Sequence, residues 1–167
     1  MRIKSILVPT DFSDNARVAV EKGCELASQL GAKLYLLHVQ DESTLRTAIK
    51  EGLFEEDATD EILQAKVKQV VEARFSELRS DLNRPDVKIE SLSLRGDPKF
   101  LITEYANEIK ADMLVIGMRG ITAASKIVSA VIGSVTEHVM RKSPCPTLVV
   151  RLDQKSSPVR ASLEMVA

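Results

Sequence analysis

Residues 3–39 read IKSILVPTDFSDNARVAVEKGCELASQLGAKLYLLHV. Two short apolar runs, IKSILV at 3–8 and KLYLLHV at 33–39, frame the stretch. The first stops at Pro9-Thr10-Asp11. Short apolar runs bounded by turn residues fit strands buried on both faces. Between them, Ser13 is suited to cap a helix, and Val18, Cys24, Leu26 and Leu30 recur at helical spacing up to Gly31, a natural C′ stop. A strand, a helix-long crossover and a second strand predict a parallel pair.

The same alternation continues outward. Leu63, Val67, Val70, Val71, Phe75, Leu78 and Leu82 form a helical stripe over 60–82, which Pro85 follows. VKIESLSL at 87–94 alternates apolar and polar, as expected of a strand with a wetter face near a sheet edge. Asp97-Pro98 reads as a cap with proline at the first helical position, ahead of Leu101, Ile102, Tyr105, Ala106 and Ile109. Residues 113–116 and TLVV at 147–150 are the fourth and fifth strands, with a last helix over 133–141. The order predicts an α/β fold: a single doubly wound, five-stranded parallel sheet with helices on both faces. Residues 40–59, with Leu45, Ile49 and Leu53 four apart, read as a partly helical excursion. Residues 1–151 make one domain, and 152–167 read as a poorly ordered C-terminal tail.

Composition excludes several functions. A chain of 167 residues has the length of one ordinary domain. Lys+Arg 23 against Asp+Glu 24 leaves net charge -1, so no basic field favours a nucleic-acid partner. No apolar run approaches the roughly 20 residues of a membrane span, and the N-terminal run is too short for a signal peptide. Cys24 and Cys145 are too few for a disulfide framework, which fits a cytoplasmic protein with thiols packed as small apolar groups. With aromatics at 4% and no Trp, the core must come from Val, Ile, Leu and Ala, and no stacking platform for a base is evident.

Ligands of open parallel sheets bind at the carboxyl ends of the strands, where strand order reverses. The sequence places Pro9, Thr10 and Asp11, then Val39 and Gln40, then Gly117-Met118-Arg119-Gly120 at such ends, and Gly133-Ser134 opens a helix. Glycines let backbone N–H groups approach a phosphate, and a helix N-terminus adds unpaired N–H groups and partial positive charge. On spacing alone, Gly117 and Gly120 serve equally well in a tight turn, and Ser134 as a cap. Asp11 has a second use, bonding backbone N–H groups at the start of the first helix. There is no Walker A motif, no G-x-G-x-x-G fingerprint and no G-x-S-x-G elbow. His38 reads as a core or strand-end residue and His138 as a helix-surface one, neither in a metal-ligand pair. No catalytic residues stand out.

ILVPTDFS at 6–13, LLHV at 36–39 and GMRG…GSVTEHVMRKSPCPTLVVR at 117–151 together resemble the universal stress protein family. The resemblance implies an adenine-nucleotide α-hydrolase-like sheet of order 3-2-1-4-5. Nucleotide-binding members carry G-x2-G-x9-G-(S/T). Here the second gap is twelve residues, 121–132, so the loop is three longer. The extra residues either add nearly one helical turn and spare the phosphate nest, or displace Gly133 from it.

By position the resemblance implies ATP, or AMP or ADP, as cofactor. Pro9, Thr10 and Asp11 would lie at the adenosine end, with Val39 meeting adenine through its backbone. Gly117, Arg119 and Gly120 would line the ribose and phosphate side, Arg119 by a guanidinium fork. Gly133, Ser134, Val135 and Thr136 would hold the phosphates, and Asp11 is a candidate for holding Mg²⁺. The implied function is a stress-response or signalling module with slow or no hydrolysis. The alternatives are a nucleotide-independent dimeric interaction module and a slow ATPase. A homodimer is implied through the last strand, Thr147 to Arg151.

Overall fold

The computed structural model describes residues 2–41, 60–118 and 132–151. The excursion with Leu45, Ile49 and Leu53, Arg119 and Gly120, nearly all of the 121–132 loop, and the tail lie outside the described residues. The described elements alternate: β1 Ser5–Pro9, α1 Asp14–Leu30, β2 Lys33–Gln40, α2 Asp60–Leu82, β3 Ile89–Arg95, α3 Pro98–Glu108, β4 Met113–Gly117, α4 Ser134–Lys142 and β5 Thr147–Val150. All four strand pairings are parallel, in the order β3-β2-β1-β4-β5. The half-wet strand read at 87–94 is indeed an edge, β3, beginning two residues later than its apolar pattern.

The sheet splits the core in two. Ile6, Val8, Leu34, Leu36 and Val115 face α1 and α2, where they pack with Ala19, Val20, Cys24 and Phe75. Leu7, Leu37, Leu114 and Ile116 face the other way, toward Ile102, Tyr105 and Ala106 of α3 and Val139 of α4. Strand side chains alternate faces, so IKSILV feeds both layers at once. In α2 the stripe holds for Leu63, Val71, Phe75 and Leu78, whereas Val70 is exposed.

Local chemistry sets the helix ends. Ser13 caps α1 by accepting from Ala16 N, and Gly31 closes it in the left-handed conformation at φ 63°. Asp97 caps α3, accepting from Lys99 N, with Pro98 at the first position. Gly23 lets α1 lie directly on β1, because a Cβ there would come within 2.6 Å of Val8 Cγ2.

Pro9, where the apolar run at 3–8 stops, still belongs to β1. It is the last paired residue, opposite Leu37. Lys4 O bonds β2 and Ser5 O bonds the residue before β4, so even positions of β1 face β2 and odd ones β4. Pro9's absent donor therefore faces β4, whose ladder with β1 ends at Leu7↔Leu114. Without that donor the β1–β4 ladder goes no further, while the β2 side of β1 stays paired.

Candidate functional site

Strand order reverses between β1 and β4, and the crevice lies at their carboxyl ends. On the β1 side, residues 10–13 turn the chain from strand to helix. Thr10 is buried and its N–H donates to Leu37 O at 2.8 Å. Its hydroxyl accepts from Phe12 N at 3.1 Å. Asp11 Oδ1 accepts from both Ser13 N and Ser13 Oγ, at 3.0 and 2.6 Å, so this carboxylate organises the helix start. Phe12 sits at φ 62°, a conformation costing a side-chain-bearing residue about 1–2 kcal/mol. Its ring is wedged between His38 at 4.8 Å and Phe75 at 5.3 Å.

His38 Nδ1 lies 2.9 Å from Thr10 O. A carbonyl only accepts, so Nδ1 carries the proton and donates. Burial lowers the His38 pKa, with the Thr10 carbonyl and the Asp11 charge opposing that shift. The ring is therefore neutral at pH 7.

On the β4 side, Gly117 is buried against α1. A Cβ on it would stand 2.7 Å from Asn15 O and 3.3 Å from Ala16 N, so glycine is needed for close backbone approach. Thr136, also buried, donates its hydroxyl to Gly117 O at 2.8 Å. Met118 N donates to Val150 O, and Gly133 N donates to Met118 O at 2.9 Å. That last bond closes the root of the 119–132 loop. The three extra loop residues thus leave Gly133 beside the end of β4.

Gly133 caps α4 with φ −65° and ψ 146°, and among the described residues no side-chain cap bond is made at this helix N-terminus. Ser134 opens the helix and is exposed, Val135 packs into the second core layer, and Thr136 bonds β4.

Val39 lies next to the β1 turn, near the end of β2. Lys33 N bonds Lys4 O of β1, whereas Leu34 N bonds Lys88 O ahead of β3. Odd positions of β2 therefore face β1. The β1–β2 ladder ends at Pro9↔Leu37, with the one further bond from Thr10 N, so the N–H and C=O of Val39 point to the β1 side just beyond it.

The family model of universal stress proteins matches residues 2–151. The chain belongs to the universal stress protein family. Universal stress protein MJ0531 of Methanocaldococcus jannaschii is 30% identical over 152 residues, covering 91% of this chain and 84% of that one. The solved structure of MJ0577, a universal stress protein from the same organism, aligns at TM-score 0.74 and 26% identity, covering 93% of this chain and all of that one. Its report describes a structure-based assignment of biochemical function. Two more distant universal stress proteins share the fold. One from Archaeoglobus fulgidus was solved with dAMP (TM-score 0.56, 22% identity, 89% of this chain and 98% of that one). The other was solved with cAMP (TM-score 0.61, 23% identity, 90% and 98%).

Of the residues singled out in the sequence, Pro9, Thr10, Asp11, Val39, Gly117, Gly133, Ser134, Val135 and Thr136 are described, and all lie at the carboxyl end of the sheet or the start of α4. Arg119 and Gly120 lie outside the described residues. Sequence reasoning passed over Phe12 and Met118. A left-handed phenylalanine has no sequence signal, and Met118 acts through its backbone. Among the described residues no three His, Cys, Asp or Glu side chains form a metal-holding group, and no helix is long and apolar enough to cross a membrane.

Proposed function

We propose that this universal stress protein binds ATP, or a related adenine nucleotide such as AMP or ADP, at the β1/β4 crevice. In this reading the nucleotide orders the glycine loop and so alters a surface seen by a signalling partner. The observation that carries it is the bond from Gly133 N to Met118 O. It keeps the uncapped start of α4, a source of unpaired N–H groups and partial positive charge, at the end of β4 despite the longer loop. Across the crevice, the N–H and C=O of Val39 suit the edge of adenine, with Pro9 and Thr10 beside them. Ser134 and the amides of Val135 and Thr136 would meet phosphate, the Thr136 hydroxyl being engaged with Gly117. Arg119 and Gly120 join this reading on sequence spacing alone. The dAMP and cAMP complexes are precedents for adenine nucleotides on this fold.

Hydrolysis is slow or absent in this reading. Asp11, the carboxylate named at the site, already accepts from Ser13. Mg²⁺ would therefore be held chiefly by phosphate oxygens and water, as this ion commonly is, with Asp11 at most one ligand. The reading includes a homodimer through the outer edge of β5, residues 147–151. There β5 is an edge strand and Leu148 is 38% exposed.

Calorimetric titration with ATP·Mg, together with mass spectrometry of ligand released from freshly purified protein, tests the reading. Expected are saturable micromolar binding and a co-purified adenine nucleotide. No heat at high micromolar protein and no released nucleotide would favour the nucleotide-independent dimeric module, for which the β5 edge is the specific support.

A further inference from the structure

We propose that His38 is a positioning residue for the adenine site: it ends the β1–β2 ladder at Thr10 and so keeps the backbone edge of Val39 open. The positioning role rests on the nucleotide reading above; the ladder stop does not. The last rung runs from Thr10 N to Leu37 O. In a parallel ladder the next rung would run from Val39 N–H to the Thr10 carbonyl. That carbonyl instead accepts from the His38 ring at 2.9 Å. His38 therefore competes for the acceptor that would otherwise draw Val39 into the sheet. The ring also meets Phe12 in a tilted contact at 4.8 Å, and Phe12 in turn meets Phe75. These contacts hold the left-handed turn at Phe12 and with it the Asp11–Ser13 bonds. One imidazole on β2 thus sets the turn on one side of the base site and leaves the hydrogen-bonding edge unpaired on the other.

The test uses the full chain. In wild type, long-range ¹H–¹⁵N NMR should show His38 as the Nδ1–H tautomer, and the Val39 amide should exchange rapidly without nucleotide. His38→Leu removes the donor and keeps the bulk; the Val39 amide should then become protected. ATP affinity should fall by about ten-fold, the scale of one hydrogen bond. His38→Asn restores a short N–H donor and should recover most of that loss. An Nε2–H tautomer or a protected Val39 amide in wild type overturns the ladder stop, even if neither variant folds. Undiminished ATP binding by folded His38→Leu, or His38→Asn no better than His38→Leu, overturns the positioning role. Failure of wild type to bind ATP at all overturns the nucleotide reading itself and leaves the tautomer and exchange results to judge the ladder stop.

Discussion

Replacing Gly117 with alanine should strike fold and site together. The new Cβ would meet Asn15 O at 2.7 Å, Asn15 C at 3.0 Å and Ala16 N at 3.3 Å. All three are backbone atoms in the first turn of α1, so no rotamer change relieves the contact. Either α1 or the end of β4 must move. Overpacking of this kind costs about 1–3 kcal/mol, and an unyielding backbone favours the upper half of that range. For a domain of this size each kcal/mol shifts the melting temperature by about 2–4 °C, so the expected loss is about 4–12 °C. The displaced first turn of α1 follows the Thr10–Ser13 turn, and Gly117 O is the acceptor for Thr136. Nucleotide affinity should fall as well. Circular dichroism melting and calorimetry measure both effects. A melting temperature within about 1 °C of wild type would refute the reasoning, because it would mean that α1 does not approach Gly117 this closely.

Gly133→Ala makes the contrasting case. Gly133 has φ −65°, which alanine adopts freely, so the melting temperature should fall by only about 2–4 °C, from the roughly 1 kcal/mol that separates glycine from alanine at an N-cap, while ATP affinity drops further if ligand approach is why glycine stands there. A larger melting loss, or an unchanged ATP affinity, would assign the glycine to folding instead. Asp112 accepts from Lys4 N, Ser5 N and Ser5 Oγ, which holds its pKa below the ordinary value. Its stabilising contribution is present above that ordinary value and disappears as pH falls through the lower folded one. Asp112→Ala should therefore lower the melting temperature at pH 7 and converge with wild type in strong acid, as pH-dependent melting would show. His38 has a lowered pKa, so its unfolded form binds more protons just below pH about 6.5, and stability should decline as pH falls through that window. His38→Asn should flatten this part of the profile, and an unchanged slope would assign it to other groups.

The sheet was legible because its inner strands β1 and β4 are buried on both faces. Runs such as IKSILV and TLVV, separated by helix-length crossovers, admit few other arrangements. Ser13, Gly31 and Asp97 marked helix ends by chemistry that acts within a few residues. Strand order was not legible from patterning and came from the resemblance, since nothing local distinguishes β2 from β4 as neighbours of β1. The roles within the site were legible only in part. The sequence suggests that Gly117 makes room for a ligand; the structure shows it making room for the backbone of Asn15. Thr136 was read as a phosphate contact, and its hydroxyl is bonded to Gly117. Both depend on contacts between residues far apart in the chain, which spacing does not encode. The sequence leaves open whether the longer loop displaces Gly133; in the structure Gly133 N donates to Met118 O, next to the end of β4.

The central claim is that the carboxyl ends of β1, β2 and β4, with the start of α4, form one adenine-nucleotide site. Titrating ATP·Mg into ¹⁵N-labelled protein and following amide shifts tests this most directly. The account predicts saturable shifts concentrated at Thr10, Asp11, Val39, Gly117 and residues 133–136. Absence of shifts at millimolar ATP would contradict it. So would shifts confined to another surface, such as the groove between α1 and α2 lined by Arg17, Glu21 and Arg84.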